Sequence, residues 1–206
     1  MFTVDAVDED EAMGYFGSLT KEFIRTKVAP EMDAWTIASI AGKSNIGGTT
    51  GTLSTGADVV AALRAGTNTM DEAEVPEDDR VLFITPTLIG AVEDTDTTKS
   101  REILERFNTI VRIPQSRFYS VIDLYDGTSS GETAGGYIKD ASSGKDMNFM
   151  IVSKSAIVKF TKHLAPKIVT PEQNQTADAW KYGYRVVALC NVLDNKVAGV
   201  YAHHKA

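Results

Sequence analysis

From Asp8 to about Ala41 the apolar positions Met13, Phe16, Leu19, Phe23, Ile24, Val28, Met32, Trp35 and Ala38 recur at steps of three and four. That is the repeat of one helix face, and it predicts a single long helix. The acidic run Asp8-Glu9-Asp10-Glu11 suits its positive N-terminal end, and Gly42 followed by Lys43 suits its stop. Pro30 falls inside the pattern. It removes one backbone hydrogen bond and crowds the preceding turn, so a kink is expected near Lys27, with a break into two helices as the alternative.

The pattern then changes character. Residues 44 to 56 are almost entirely Gly, Ser, Thr and Asn, which reads as a connector between subdomains. Thr55 or Asp58 can cap a second helix through Val59, Val60, Leu63 and Met70, ending in Asp71-Glu72-Ala73-Glu74. Val81 to Thr85 is a continuous apolar run of the kind buried on both faces of a sheet. A short helix follows over 87–92, then a polar loop over 94–100. Phe107 to Ile113 alternates and stops at Pro114, as an edge strand does. Further strands are predicted over 121–125, 148–152 and 167–170, with a helix over 153–163. The Gly/Ser/Thr tract from Gly127 to Gly136 reads as a surface tip. Tyr184–Leu193 and Val197–His203 are β-rich and joined at Asp194-Asn195-Lys196, which predicts a closing hairpin. No repeat of 20 to 50 residues is present, against a solenoid or propeller.

These elements predict an α+β fold: a long helix packed on strands drawn largely from the C-terminus, with an inserted α/β subdomain from about 53 to 165. With 206 residues, 43% hydrophobic and 24% charged, the chain can bury a sizeable core. Its formal net charge of -7 disfavours binding driven by phosphate neutralisation. No apolar stretch approaches the roughly 20 residues that span a bilayer. The N-terminus lacks the basic-then-apolar order of a signal peptide. The single Cys190 sits in an apolar run and reads as a small core residue in a reducing compartment.

Candidate chemistry is sparse. Gly42-Lys43-Ser44 imitates the end of a phosphate-binding loop, but the upstream glycine position is Ile37 and the triplet ends a helix where that motif starts one. Gly127-Thr128-Ser129-Ser130-Gly131 matches the letters of a nucleophile elbow, yet no helix follows, and nothing brings His163 or His203 to Ser129. His203 and His204, adjacent on a strand, point to opposite faces and suit a frayed terminal strand better than a zinc site. The carboxylate runs lack the spacing of a calcium loop. Asn174-Gln175-Thr176 is a glycosylation sequon by letters only. Trp35, Trp180, Tyr182 and Tyr184 lack the interleaved basic residues of a base-stacking platform and read as packing. No catalytic, cofactor-binding or metal-binding residue is assigned, and no cofactor is expected.

The order of segments resembles the HK97-type major capsid proteins of tailed bacteriophages, especially those of siphophages and related prophages. The residues that carry the resemblance are Phe2-Thr3-Val4-Asp5 before the helix with Glu22-Phe23 and Val28-Ala29-Pro30-Glu31-Met32-Asp33; Glu72-Ala73-Glu74-Val75-Pro76 before Arg80 to Pro86; Ile113-Pro114-Gln115-Ser116-Arg117-Phe118; Asn148 to Val152; and Ala177-Asp178-Ala179-Trp180 through Leu193 to Tyr201. No single motif is diagnostic; the ordered series carries it.

The resemblance implies a peripheral domain with its spine helix over 1–52, an axial domain over 53–165, and a return to the peripheral sheet over 166–206. It implies a structural, non-enzymatic subunit that self-assembles into pentamers and hexamers of an icosahedral shell around double-stranded DNA. Assembly would occur in the host bacterial cytoplasm with scaffold, portal and maturation-protease partners, and with neither membrane association nor sequence-specific nucleic-acid binding. The 127–136 tract would be an axial loop and 170–179 the peripheral loop near three-fold contacts. Hinge candidates are the Pro30 kink and the 44–56 connector. Relatives carry an N-terminal arm and an extended hairpin ahead of the spine helix, whereas this chain begins almost at the helix. A shortened form is therefore expected, one that folds as a monomer or weak oligomer and does not close shells alone. Residues for covalent crosslinking between subunits are not identifiable. The alternatives are an encapsulin-like bacterial shell protein and, from another class, a serine hydrolase using Ser129.

Overall fold

A computed structural model describes residues 2–8, 15–95, 97–132 and 135–206. The predicted helix start over 9–14, part of the 94–100 loop and part of the 127–136 tip lie outside them. The chain divides into two compact units, one of residues 1–32 and 159–189, the other of 33–158 and 190–206.

In the first unit, β1 (Phe2–Asp5) pairs antiparallel with β9 (Ala179–Val192), in register from Phe2 opposite Tyr182 to Asp5 opposite Ala179. β8 (Ile157–Val169) completes a three-stranded sheet in the order β1-β9-β8. Helix α1 (Tyr15–Phe23) presents Phe16, Leu19 and Phe23 to Val4, Trp180 and Tyr182, and Phe2 joins this cluster. The rings of Phe2 and Tyr182 lie 5.3 Å apart and those of Phe16 and Trp180 5.5 Å apart, within the range of favourable aromatic pairs.

The helix does not break at Pro30. It passes through a π-helical turn, Ile24–Val28, in which the Ala29 N–H reaches back to the Ile24 carbonyl, and continues as α2 (Ala29–Ala41). Pro30 has no N–H for the usual partner four residues earlier, and the widened turn absorbs that loss at the predicted place. α2 stops at Gly42, whose N–H bonds the Ala38 carbonyl at 2.8 Å.

The second unit is built on a five-stranded sheet, β2-β10-β7-β3-β4. Its strands are β2 (Gly47–Thr50), β3 (Arg80–Ile84), β4 (Thr109–Arg112), β7 (Met147–Ser153) and β10 (Val200–His204). β7 sits at the centre with all seven residues buried. Met150 and Val152 face a core shared with Ile37 and Ile40 of α2 and with Val192 and Val200. Phe149 and Ile151 face the opposite core, formed by α3 (Gly56–Glu72), α4 (Pro86–Thr95) and α5 (Thr98–Glu105). Thr55 caps α3 and Asp58 completes the capping box. A separate ribbon pairs β5 (Ile122–Tyr125) with β6 (Gly136–Lys139).

Four expectations are corrected. β9 and β10 do not form a hairpin: β9 pairs with β1 and lies beside β8, whereas β10 pairs with β7 and β2. The residues between them form a 3-10 segment, Asp194–Gly199, in which a Cβ on Gly199 would meet the Ala156 Cβ at 2.7 Å. Residues 153–163 are not a helix. A 3-10 turn, Lys154–Ala156, leads straight into β8, where Ile157, Val158 and Thr161 favour an extended backbone. The 44–56 connector contains β2, parallel to β10. The polar loop over 94–100 is mostly helical, because Thr97 and Ser100 form a capping box that starts α5.

Candidate assembly surface

The residues singled out for chemistry lie apart from one another in the fold. Lys43 pairs with Asp194, Nζ to Oδ1 2.5 Å, at the end of α2. Ser129 lies in the connection between β5 and β6, where its Oγ donates to Asp126 Oδ2 at 2.7 Å. The N–H groups of Thr128 and Ser129 also donate to Asp126, at 2.7 and 2.8 Å, and these bonds hold its carboxyl well below the usual carboxylate range. This is an Asx turn leading to a strand, not the strand-to-helix turn that exposes a nucleophile. His203 is buried against Asn148 and Phe149, and His163 lies on β8. Among the described residues no cluster of three or more His, Cys, Asp or Glu side chains is placed to hold a metal ion. No helix among them is long and apolar enough to cross a membrane.

Trp180, Tyr182 and Tyr184 belong to the aromatic cluster of the first unit, with Tyr182 only 2% exposed. Cys190 packs half-buried against the core that contains Ile37. Thr176 donates to the Asn174 side chain, while the Asn174 amide donates to the Ala179 carbonyl at 2.9 Å, which fixes the loop between β8 and β9. Beside that loop is a concavity of about 400 Å³ lined by Lys167, Lys181, Gln173 and Asn174.

What remains unsatisfied is surface. β8 is an edge strand with almost no burial along its 13 residues. Val158, Phe160, Leu164 and Ile168 are 41%, 62%, 56% and 54% exposed. Even spacing puts all four on one face of the strand. Leu124 and Ile138 on the β5–β6 ribbon are also about half exposed. A helix over 153–163 would hide the start of this row, whose two-residue period runs on to Ile168.

No protein-family profile matches the chain, and no curated protein matches it in sequence. Solved structures do. A structure from Mycobacterium phage Che8 superposes with a TM-score of 0.60 at 13% identity, covering 98% of this chain and 68% of that one. The capsid structure of the cyanophage P-SCSP1u gives 0.59 at 16% identity, covering 100% of this chain and 70% of that one. This chain has the HK97-type capsid fold. A virus-like particle from Pyrococcus furiosus gives 0.55 at 10% identity over 85% of this chain and 63% of that one. At these identities the likeness is one of fold. In the terms of that fold the helix running from Tyr15 to Ala41 through its π turn is the spine helix.

Proposed function

We propose that this chain is a structural subunit of an icosahedral bacteriophage capsid. The observation that carries the reading is the superposition of the whole chain on the cyanophage capsid structure. The exposed apolar strand β8 fits it, since a subunit built to tile must present surface that only neighbouring copies cover. Repeated heterologous contacts between identical subunits close into rings of five or six, and small flexing lets one chain occupy both environments. The assembled shell would enclose double-stranded DNA in the host cytoplasm, with scaffold, portal and maturation protease as further partners. The acidic balance suits a wall that does not adhere to the packaged polymer.

The division of roles follows the same reading. Residues 1–52 and 166–206 would supply the peripheral domain and 53–165 the axial domain, while the compact units fall at 32/33, 158/159 and 189/190.

The test is direct. Particles purified from the producing bacterium should contain this chain as their most abundant protein by mass spectrometry, and antibodies to it should label phage heads in electron micrographs. Absence from DNA-filled particles overturns the proposal. Its recovery in shells that hold an enzyme and no DNA favours the encapsulin-like alternative.

A further inference from the structure

The segment from Lys159 to Leu189 departs from the charge of the rest of the chain. It carries five cationic side chains against Glu172 and Asp178, in a protein whose net charge is -7. None of the five makes an ion pair among the described residues. Lys162 stands within the exposed row of Phe160, Leu164 and Ile168, on the same strand face by spacing, whereas Lys167 projects from the opposite face of the same edge strand. An open edge strand with an exposed apolar row is surface for a partner to cover, and the lysine beside that row selects a partner of opposite charge.

The β5–β6 ribbon has the opposite charge with the same exposure. From 121 to 140 it carries Asp123, Asp126, Glu132 and Asp140 against Lys139 alone, and Lys139 is already engaged by Asp146 at 2.8 Å. Asp123 is directly opposite Ile138 and shares its face, and Asp140 lies two residues beyond Ile138. Partial loss of hydration, then the charge of Asp140, raises the Asp123 carboxyl above its usual range, although the residue stays exposed. A cation brought to this face would relieve that crowding. The ribbon is therefore an acidic edge around an exposed isoleucine, and β8 is a basic edge around an exposed apolar row.

We propose that β8 of one copy seats the β5–β6 ribbon of a second copy, with Ile138 on the Phe160–Leu164–Ile168 row and the carboxylates on its own face, Asp123 and Asp140, meeting Lys162. The contact deepens the shell reading, on which it rests, and it is heterologous: each copy offers a strand to one neighbour and a ribbon to another, the arrangement that closes rings. Electrostatic complementarity of this kind sets register and partner choice.

The experiment uses the whole chain in isotopically light and heavy forms, mixed and treated with a carbodiimide that joins amines to carboxylates without a spacer. Light-to-heavy links from Lys162 to Asp123 or Asp140 are expected. Lys162→Glu should weaken self-association by about tenfold or more in sedimentation, as should Asp123→Lys. A mixture of the two reversed chains should recover association. Links that map elsewhere, no self-association by the unmodified chain, or reversed chains that associate like it would overturn the contact. If the unmodified chain instead shifts DNA in a gel and the Lys162→Glu chain does not, while neither self-associates, β8 is a nucleic-acid surface and the contact is overturned. Closed particles indifferent to these reversals would sink the contact and leave the shell reading standing. The predicted links in a chain absent from phage particles would do the reverse.

Discussion

The side-chain amide of Asn148 donates to Nδ1 of His203 at 3.0 Å and to the Gly51 carbonyl at 3.0 Å, so one residue ties β10 to the segment that follows β2. His203 is 5% exposed and stacks on Phe149 with ring centroids 5.0 Å apart. A donor facing Nδ1 requires a lone pair there, which only the neutral ring, protonated at Nε2, provides while the amide keeps its bond to Gly51.

Burial, then the neighbouring His204, lowers the His203 pKa from its ordinary value of 6.5, and burial lowers His204 as well. The unfolded chain therefore takes up these protons first as pH falls. The stability that depends on the neutral rings is complete above about pH 6.5 and is lost below it. The urea midpoint is expected to decline as pH is lowered from neutral toward the lowered native pKa values, and His203→Gln should make that decline shallower. A midpoint that stays flat across the range would contradict the account.

Gly48 and Gly17 make a matched pair of opposite sign. A Cβ on Gly48 would sit 2.5 Å from the Ala202 carbonyl oxygen of the paired strand, a backbone atom that cannot step aside, whereas a Cβ on Gly17 meets nothing within 4 Å. Gly48→Ala should cost about 1–3 kcal/mol through overpacking. Gly17→Ala in α1 should stabilise by about 0.5–1 kcal/mol. Denaturant titrations of both variants check the contrast, and equal shifts would remove the packing argument.

Arg80 is 1% exposed and its Nη1 lies 2.6 Å from Asp71 Oδ1, a charge contact without the alignment of a hydrogen bond. Its Nε donates to the Pro76 carbonyl at 3.2 Å and its Nη2 to that of Val75. Arg106, 3.4 Å from the other Asp71 oxygen, is 39% exposed by side chain. Asp71→Ala strands a buried cation and should cost about 3–5 kcal/mol. Arg106→Ala removes only rim contacts, to Asp71 and Glu77, and leaves the buried Arg80–Asp71 pair in place, so it should cost about 1 kcal/mol or less. Comparable losses in the two variants would mean that burial of Arg80 does not set the cost.

Local signals were legible in the sequence and partners were not. Thr55 and Asp58 announce the start of α3 because a capping box is written in neighbouring residues. Pro30 announces the π turn because the missing N–H is a property of one residue. The β-rich segments on either side of residues 194–199 announce two strands, yet their partners are β1 and β8 for one and β7 and β2 for the other. Pairing depends on which faces the whole chain can bury, not on which strands are neighbours in sequence. β2 was hidden for the opposite reason: its glycines carry no strand propensity, and the close approach of Gly48 to Ala202 is what calls for them. The apolar edge of β8 is hidden because an expected helix over 153–163 cuts across the two-residue period that joins Val158 to Ile168.

Apolar residues of the first unit divide by the work they do, and substitution separates them. Phe16 and Tyr182, at 9% and 2% exposure, pack into the aromatic cluster with Val4, so Phe16→Ala or Tyr182→Ala removes buried contacts and should cost about 3–5 kcal/mol. Phe160 and Leu164 are already mostly in solvent, so Phe160→Thr and Leu164→Thr remove little that folding buries. Each should leave the unfolding free energy from urea titration within about 0.5 kcal/mol of the parent, and threonine keeps the β preference of the strand. The same two changes should reduce binding of an apolar surface dye, since they delete part of an exposed hydrophobic row. Strong destabilisation by Phe160→Thr would place that ring in the folding core and remove the reason to regard β8 as surface kept for a neighbour.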